Sequence, residues 1–158
     1  MFRQKVLRRW LSALGLAALL LIPVGCDNSD SSGDITGPQA TLVVTFSPNP
    51  VAYSAYGEWL YGVAVTETSG VGVHIYGFIR KSHSAAGEPY SDDISPELAF
   101  IDEFNHCGGE GNYIPGGGTR CGFYRIYDGR NSGFEIWTFY GVDDSGNEVT
   151  GEGRVDLL

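Results

Sequence analysis

From Thr41 onward apolar and polar residues alternate with a period of two, in runs bounded by Gly, Pro, Asn and Asp. This is the pattern of strands that bury one face. Leu42, Val44 and Phe46 alternate with Thr41, Val43 and Thr45. Ser47-Pro48-Asn49-Pro50 then interrupts the ladder, because proline has no N–H to donate, so the first strand breaks or changes sheet there. Trp59, Tyr61, Val63 and Val65 point one way and Leu60, Gly62, Ala64 and Thr66 the other, up to a turn at Ser69-Gly70. In the next run, Val71 to Lys81, Val73, Ile75 and Ile79 stand against Tyr76 and Phe78, so alternation does not choose a buried face. Ser82 to His106 reads as polar and irregular. Its exception is a short helix with Ser95 as N-cap, Pro96 in the first turn and Glu97 next, running to about Asp102. Strands are predicted again over Thr119 to Tyr127, Gly133 to Val142 and Glu148 to Leu158. In the last, Val149, Gly151, Gly153, Val155 and Leu157 share a face. The final two form a hairpin through Asp143-Asp144-Ser145-Gly146-Asn147, residues that tolerate a tight reversal.

About six or seven short antiparallel strands without long helices predict an all-β, two-layer sandwich of immunoglobulin-like topology with one short helix, over residues 40–158. Several segments also resemble a bacterial family of Ig-like or fibronectin-like domains found in exported proteins. They are Ser47-Pro48-Asn49-Pro50-Val51, Trp59 with Tyr61, and the run from Val65 through Gly70 to Val73. Ile114-Pro115-Gly116-Gly117-Gly118-Thr119 looks like that family's glycine turn before a late strand, and Gly141 to Asn147 like its last hairpin. These are turn and core positions, which specify fold. The resemblance implies an adhesive or spacer module more readily than an enzyme.

Ahead of the strands, Arg3, Lys5, Arg8 and Arg9 precede an apolar run from Trp10 to Ile22, and Pro23-Val24-Gly25-Cys26 follows. The order of charge, apolar core and small residue is that of a secretory signal. The run is about 13 residues long, against the roughly 20 needed to cross a bilayer as a helix. Gly25-Cys26 resembles the lipobox of bacterial lipoproteins, although Pro23 stands where leucine is usual. The resemblance implies removal of residues 1–25 and acylation of Cys26, whose two or three chains suffice for stable anchoring. The expected location is the bacterial cell envelope, membrane-anchored outside the cytoplasm, with the leaflet left open. Residues 26–39 are Ser, Asp and Gly with almost nothing apolar, a composition that predicts a flexible tether.

Removing residues 1–25 takes four of the ten basic residues and none of the nineteen acidic ones. That leaves 6 basic against 19 acidic, a net charge of −13. Such a balance argues against nucleic acid as a partner, since that binding rests on Lys and Arg neutralising phosphates. The expected partners are the membrane, through the lipid, and an envelope protein or polysaccharide. Apart from Cys26 the cysteines are Cys107 and Cys121, which in an oxidising compartment pair with each other. Closing that loop of about 15 residues contributes about 3 kcal/mol.

Candidate chemistry is sparse. Asp143, Asp144, Asn147 and Glu148 bunch oxygen ligands as calcium requires, but Gly146 precedes Asn147, out of EF-hand order, so a hairpin turn is the better reading and no metal is assigned. His106 with Cys107 and Cys121 lacks a fourth zinc ligand. His74, placed mid-strand, and His83, placed in a loop, accompany no nucleophile elbow. The glycines from Gly108 to Gly118 lack the Lys-Ser or Lys-Thr of a phosphate loop. Tyr113, Tyr124 and Tyr127 are the candidate recognition patch, because aromatics carry much of the energy at binding surfaces. The expectation is a non-enzymatic binding or structural accessory domain without a cofactor. The alternatives are a small envelope hydrolase whose acid and base come from Ser82 to His106, such as Asp102 with Glu103, and a calcium-dependent carbohydrate-binding module.

Overall fold

The computed structural model describes residues 37–127 and 132–158; the leader, Cys26 and the tether before Gly37 lie outside them. Eight strands and one helix follow in order: β1 (Leu42–Ser47), β2 (Trp59–Glu67), β3 (Val73–Ser84), β4 (Pro89–Pro96), α1 (Glu97–Glu103), β5 (Tyr113–Ile114), β6 (Thr119–Ile126), β7 (Gly133–Asp143) and β8 (Glu148–Leu157). They build two antiparallel sheets, β1-β2-β6 and β4-β3-β7-β8, with β5 paired to β3. This is an Ig-like sandwich in which the fourth strand has joined the edge of the second sheet.

The inward residues follow the alternation. Trp59, Tyr61, Val63 and Val65 of β2 are buried, as are Leu42 and Val44 of β1 and Val149, Val155 and Leu157 of β8. Gly151 and Gly153 let the sheets close on one another. A Cβ on Gly151 would lie 2.6 Å from Leu42 Cβ, and one on Gly153 2.8 Å from Val44 Cβ. After the Ser47–Pro50 interruption the chain does change partner. Val51 bridges Leu157 in parallel, its N–H donating to the Asp156 carbonyl at 2.7 Å and its carbonyl accepting from Leu158 N–H at 2.8 Å. The open edge of β8 is thereby paired over those residues.

The ambiguous third strand is resolved by a β-bulge. The β3–β7 register shifts between Ile75 and Gly77, which leaves Tyr76 as an extra residue. One extra residue inverts the facing of everything beyond it. Val73 and Ile75 point inward before the bulge, and Phe78 and Ser82 after it. Both faces of this strand are apolar because each is buried over half its length.

Two expectations are corrected. Ser82 to His106 is not irregular apart from the helix, since β3 runs on to Ser84 and β4 occupies Pro89–Pro96. As an edge strand with no buried residue, β4 has no face to keep apolar and shows no period-two signal. The helix cap is Pro96 rather than Ser95, and no side chain caps it. No helix among the described residues is long and apolar enough to cross a membrane.

Candidate ligand cleft

The bulge has a chemical consequence, because it turns Arg80 and Ser82 toward the space between the sheets. Facing them on β7, Glu135 falls on the same inward parity as Trp137 and Phe139 and is only 2% exposed. A buried carboxylate requires hydrogen bonds and a counter-charge. Glu135 accepts the Ser82 hydroxyl at 2.9 Å and the Tyr61 hydroxyl from the opposite sheet. Burial, and then the neighbouring Glu135 charge, push the Tyr61 phenol far above its ordinary value, so it stays a donor. Burial works against the charge of Arg80, but Asp93 and Glu135 outweigh it and hold the guanidinium above its ordinary value. Arg80 forms an ion pair with Asp93 of β4 and lies 5.7 Å from the ring centroids of both Tyr124 and Trp137.

From this core the polar groups open into a cleft of about 320 Å³ between β3, β4, α1 and β6. Its walls are Phe78, Arg80, Asp93, Ile94, Ser95, Glu103 and Tyr124. Burial, opposed by Arg80 and reinforced by Asp102, holds the Glu103 carboxyl above its ordinary range. Arg80 Nε and the Tyr124 hydroxyl are buried without a protein hydrogen-bond partner. The helix reaches this position because Gly122 of β6 has no side chain: a Cβ there would lie 2.4 Å from the Glu103 carbonyl.

The three tyrosines of the expected patch are not brought together. Tyr113 pairs with β3 beside His74, and its hydroxyl donates to Asp144 at 3.0 Å. That bond holds its phenol above the ordinary value. Tyr124 turns inward, 4.3 Å from Trp137 and 6.2 Å from Tyr61 between ring centroids. Tyr127 is 70% exposed just beyond β6, next to the end of β2 that carries Trp59, whereas Tyr113 lies by the far end of β7 at Asp143. Strand register separates them, since Tyr124 and Tyr127 are three residues apart and face opposite ways.

Cys107 and Cys121 form a disulfide with Cα atoms 5.3 Å apart, which occupies both thiols of the considered zinc cluster. It fixes the loop after α1 over Arg120, a buried cation whose Nε donates to the Phe104 carbonyl at the helix C-terminus at 2.7 Å. Burial lowers the pKa of Arg120. Gly109 is needed at the contact, because φ there is +86° and a Cβ would stand 2.8 Å from Arg120 Nη1. Of the glycines in this stretch, Gly109 packs on the arginine, while Gly116 lies against the Gly70 backbone and Gly118 against Pro115. In the acidic hairpin, Asp143 is a turn anchor whose oxygens accept N–H groups of Ala40, Ser145 and Asn147. His83 is not in a loop: it lies in β3, stacked on Phe134 at 4.8 Å. Among the described residues no three His, Cys, Asp or Glu side chains converge as a metal site.

Arg80, Glu135, Asp93 and Glu103 were not singled out together from the sequence. For Glu135 there was a readable signal, a charged residue on the inward parity of Trp137 and Phe139. For Arg80 there was none, because its parity depends on the bulge.

No protein-family model and no curated protein matches the chain. Among solved structures it is similar to the ApaA protein of Bordetella pertussis, at 12% identity and TM-score 0.49, over 76% of this chain and 94% of that one. It is also similar to the CARDB domain of a Pyrococcus furiosus protein, solved with di-metal ions, at 10% identity and TM-score 0.34, over 79% and 97%. Spo0M of Bacillus subtilis, a sporulation control protein, matches at 10% identity and TM-score 0.36, over 77% of this chain and 49% of that one. Likenesses at these scores transfer no activity, and the Ig-like assignment rests on this chain's own strand order.

Proposed function

We propose that this protein is an exported, lipid-anchored recognition module of the bacterial envelope, non-enzymatic, whose ligand contact is the cleft between β4 and α1. The leader and Cys26 support the address; the tether supports a domain held off the membrane. The observation that carries the binding role is the convergence of Arg80, Asp93, Ser95, Glu103 and Tyr124 on one cleft at a sheet edge. Concave sites with a few convergent polar groups are where small ligands and chain ends bind. Buried Glu135 supports the wall by compensating Arg80 from behind.

The test is capture from native envelope by the intact acylated protein, compared with Asp93→Ala and Glu103→Gln. A specific co-purifying component lost in both variants supports the reading. Equal capture by all three proteins overturns it. Mass spectrometry of the mature protein checks the anchor: an unprocessed leader, or an unacylated Cys26, removes it.

A hydrolase is the second reading, favoured by one fact: Asp93 and Glu103 line the same cleft. Against it, Asp93 is already committed to Arg80. Turnover of envelope material that Glu103→Gln abolishes would replace the first reading with this one.

A further inference from the structure

Arg120 is a buried cation without a counter-charge. It is 1% exposed, and its one hydrogen bond uses Nε, which donates to the Phe104 carbonyl. Nη1 and Nη2 are buried without a partner, and among the described residues no carboxylate pairs with the guanidinium. The Phe100 ring, 5.7 Å from the guanidinium carbon, is a weak substitute for an acid. An unpaired charge is costly to bury, so free energy is gained when solvent or an anion reaches it. With Nε taken, the two terminal nitrogens remain as a fork that fits two oxygens of a carboxylate or phosphate.

What covers Arg120 is one thin layer of chain. Residues 105–111 are exposed along their whole length and belong to no helix or strand, yet Gly109 lies directly on the guanidinium. The layer is fastened at its ends. At one, His106 N–H donates to the Cys121 carbonyl at 3.1 Å, the His106 ring meets Phe123 edge-on, and Cys107 is bonded to Cys121. At the other, the Asn112 carbonyl accepts from Ile75 N–H at 2.9 Å and its side-chain amide donates to the Ile75 carbonyl at 3.1 Å. Between these points residues 108–111 make no hydrogen bond among the described residues. Exposed backbone with so few bonds opens at low free energy, which leaves the disulfide as the main fastening. Cys107 is itself exposed, so a reductant can reach it.

We infer that residues 105–111 are a disulfide-held cover over a preformed oxyanion site, Arg120, and that the cover opens when an external dithiol reduces Cys107–Cys121. One thiolate of the dithiol attacks Cys107 Sγ and expels the Cys121 thiolate; the second thiol then attacks the mixed disulfide and releases Cys107. The cystine gains two electrons and two protons, and the dithiol leaves as its own disulfide. The oxidised protein hides the charge, and the reduced protein offers it to a carboxylate or phosphate group.

The test is arginine labelling with phenylglyoxal, followed at each site by peptide mass spectrometry on the intact protein in detergent. The disulfide-bonded form is compared with protein that has been reduced, alkylated and freed of reductant, and with Cys107→Ser/Cys121→Ser. Arg120 should react about tenfold or more faster once the disulfide is gone, the effect expected from releasing a loop of this size. Arg154, whose side chain is 56% exposed, should react fast in every form, and Arg80 should keep one rate throughout. Inorganic phosphate or acetate should slow the labelling of Arg120 in the open forms and leave Arg154 unchanged. Protection by either anion supports the inference and names the oxyanion preferred. An Arg120 rate equal in all forms overturns it. So does a rise that Arg80 shares, which means unfolding of the whole domain, or labelling in the open forms that neither anion slows.

Discussion

Glu67 and Asp143 clasp consecutive backbone amides at the entrance to β1: Thr41 N–H donates to Glu67 at 3.1 Å and Ala40 N–H to Asp143 at 3.2 Å. One carboxylate comes from each sheet, so the start of β1 is tied to both layers at once. Glu67 is fully buried and also accepts the N–H groups of Ser69, Gly70 and Gly117 at 2.8, 2.8 and 2.9 Å. It thereby gathers the β1 entrance, the β2–β3 turn and the glycine turn before β6.

Replacing Glu67 with Gln keeps the volume but removes the charge and turns an amide donor toward N–H groups that are themselves donors. Glu67→Gln should cost about 3 kcal/mol, the scale of a lost charge-assisted hydrogen bond plus an unsatisfied buried group. Denaturant unfolding measures it. A midpoint equal to wild type would remove the clasp as a stabilising element.

The same carboxylate makes stability depend on acid. Burial alone would raise its pKa, but the Ser69 hydroxyl and the backbone N–H groups outweigh burial and lower it from 4.5 to about 2. Asp143 is lowered in the same direction, burial again being outweighed by its bonds to Asn147, Ala40 and Ser145. A depressed folded-state pKa means the contribution is complete above about 4.5 and disappears as pH falls toward about 2. Melting temperatures of wild type and Glu67→Gln should therefore converge as pH is lowered through that window. Parallel curves would contradict it.

Arg80 and Glu135 should behave as a coupled pair. Arg80→Met removes the cation whose field acts on buried Glu135, together with the Asp93 ion pair, and should cost about 1–3 kcal/mol. Adding Glu135→Gln should recover a large part of that loss, and a double-mutant cycle reads the coupling. Additive losses would mean that Tyr61 and Ser82 alone satisfy Glu135.

The disulfide should contribute about 3 kcal/mol for a loop of this size. Cys107→Ser with Cys121→Ser should lower the unfolding free energy by about that amount. Amide exchange should rise first around residues 105–111, where the loop loses its hold on Arg120. Two alkylatable thiols in the mature unreduced protein would remove the premise.

The bulge makes Tyr76 dispensable to the register of β3, unlike its neighbours in the ladder. Tyr76→Ala should be tolerated within about 1 kcal/mol, because Tyr76 is an exposed extra residue. Deleting Tyr76 should also leave a folded domain, because Ile75, Gly77 and Phe78 keep Gly141, Tyr140 and Phe139 as partners in what becomes an unbroken ladder, whereas deleting Ile79 should prevent stable folding, because Arg80 would turn outward and Lys81 toward the core. An unfolded Tyr76 deletion, or a stably folded Ile79 deletion, would contradict this reading of the bulge.

Period-two alternation was enough to place β1, β2, β6, β7 and β8, and in β1, β2 and β8 to group the residues that share the inward face, because in those strands the pleat is regular and one face is buried. The hairpin at Asp143–Asn147 was legible for the same reason, since its residues accept the backbone geometry of a reversal. β4 was not legible: an edge strand exposed on both faces leaves no periodic trace. Nor was the two-residue β5, too short to show a period.

Local chemistry of the chain, then, was sufficient for the two-layer class, the core and the turns, all of which depend on neighbours a few residues apart. The cleft was not within its reach. It depends on one extra residue inverting β3 so that Arg80 meets Glu135 and Asp93, and on a glycine in β6 that lets α1 carry Glu103 to the same place. Those meetings join residues tens of positions apart, and sequence spacing does not encode them; they arise only when the sheets pair and close.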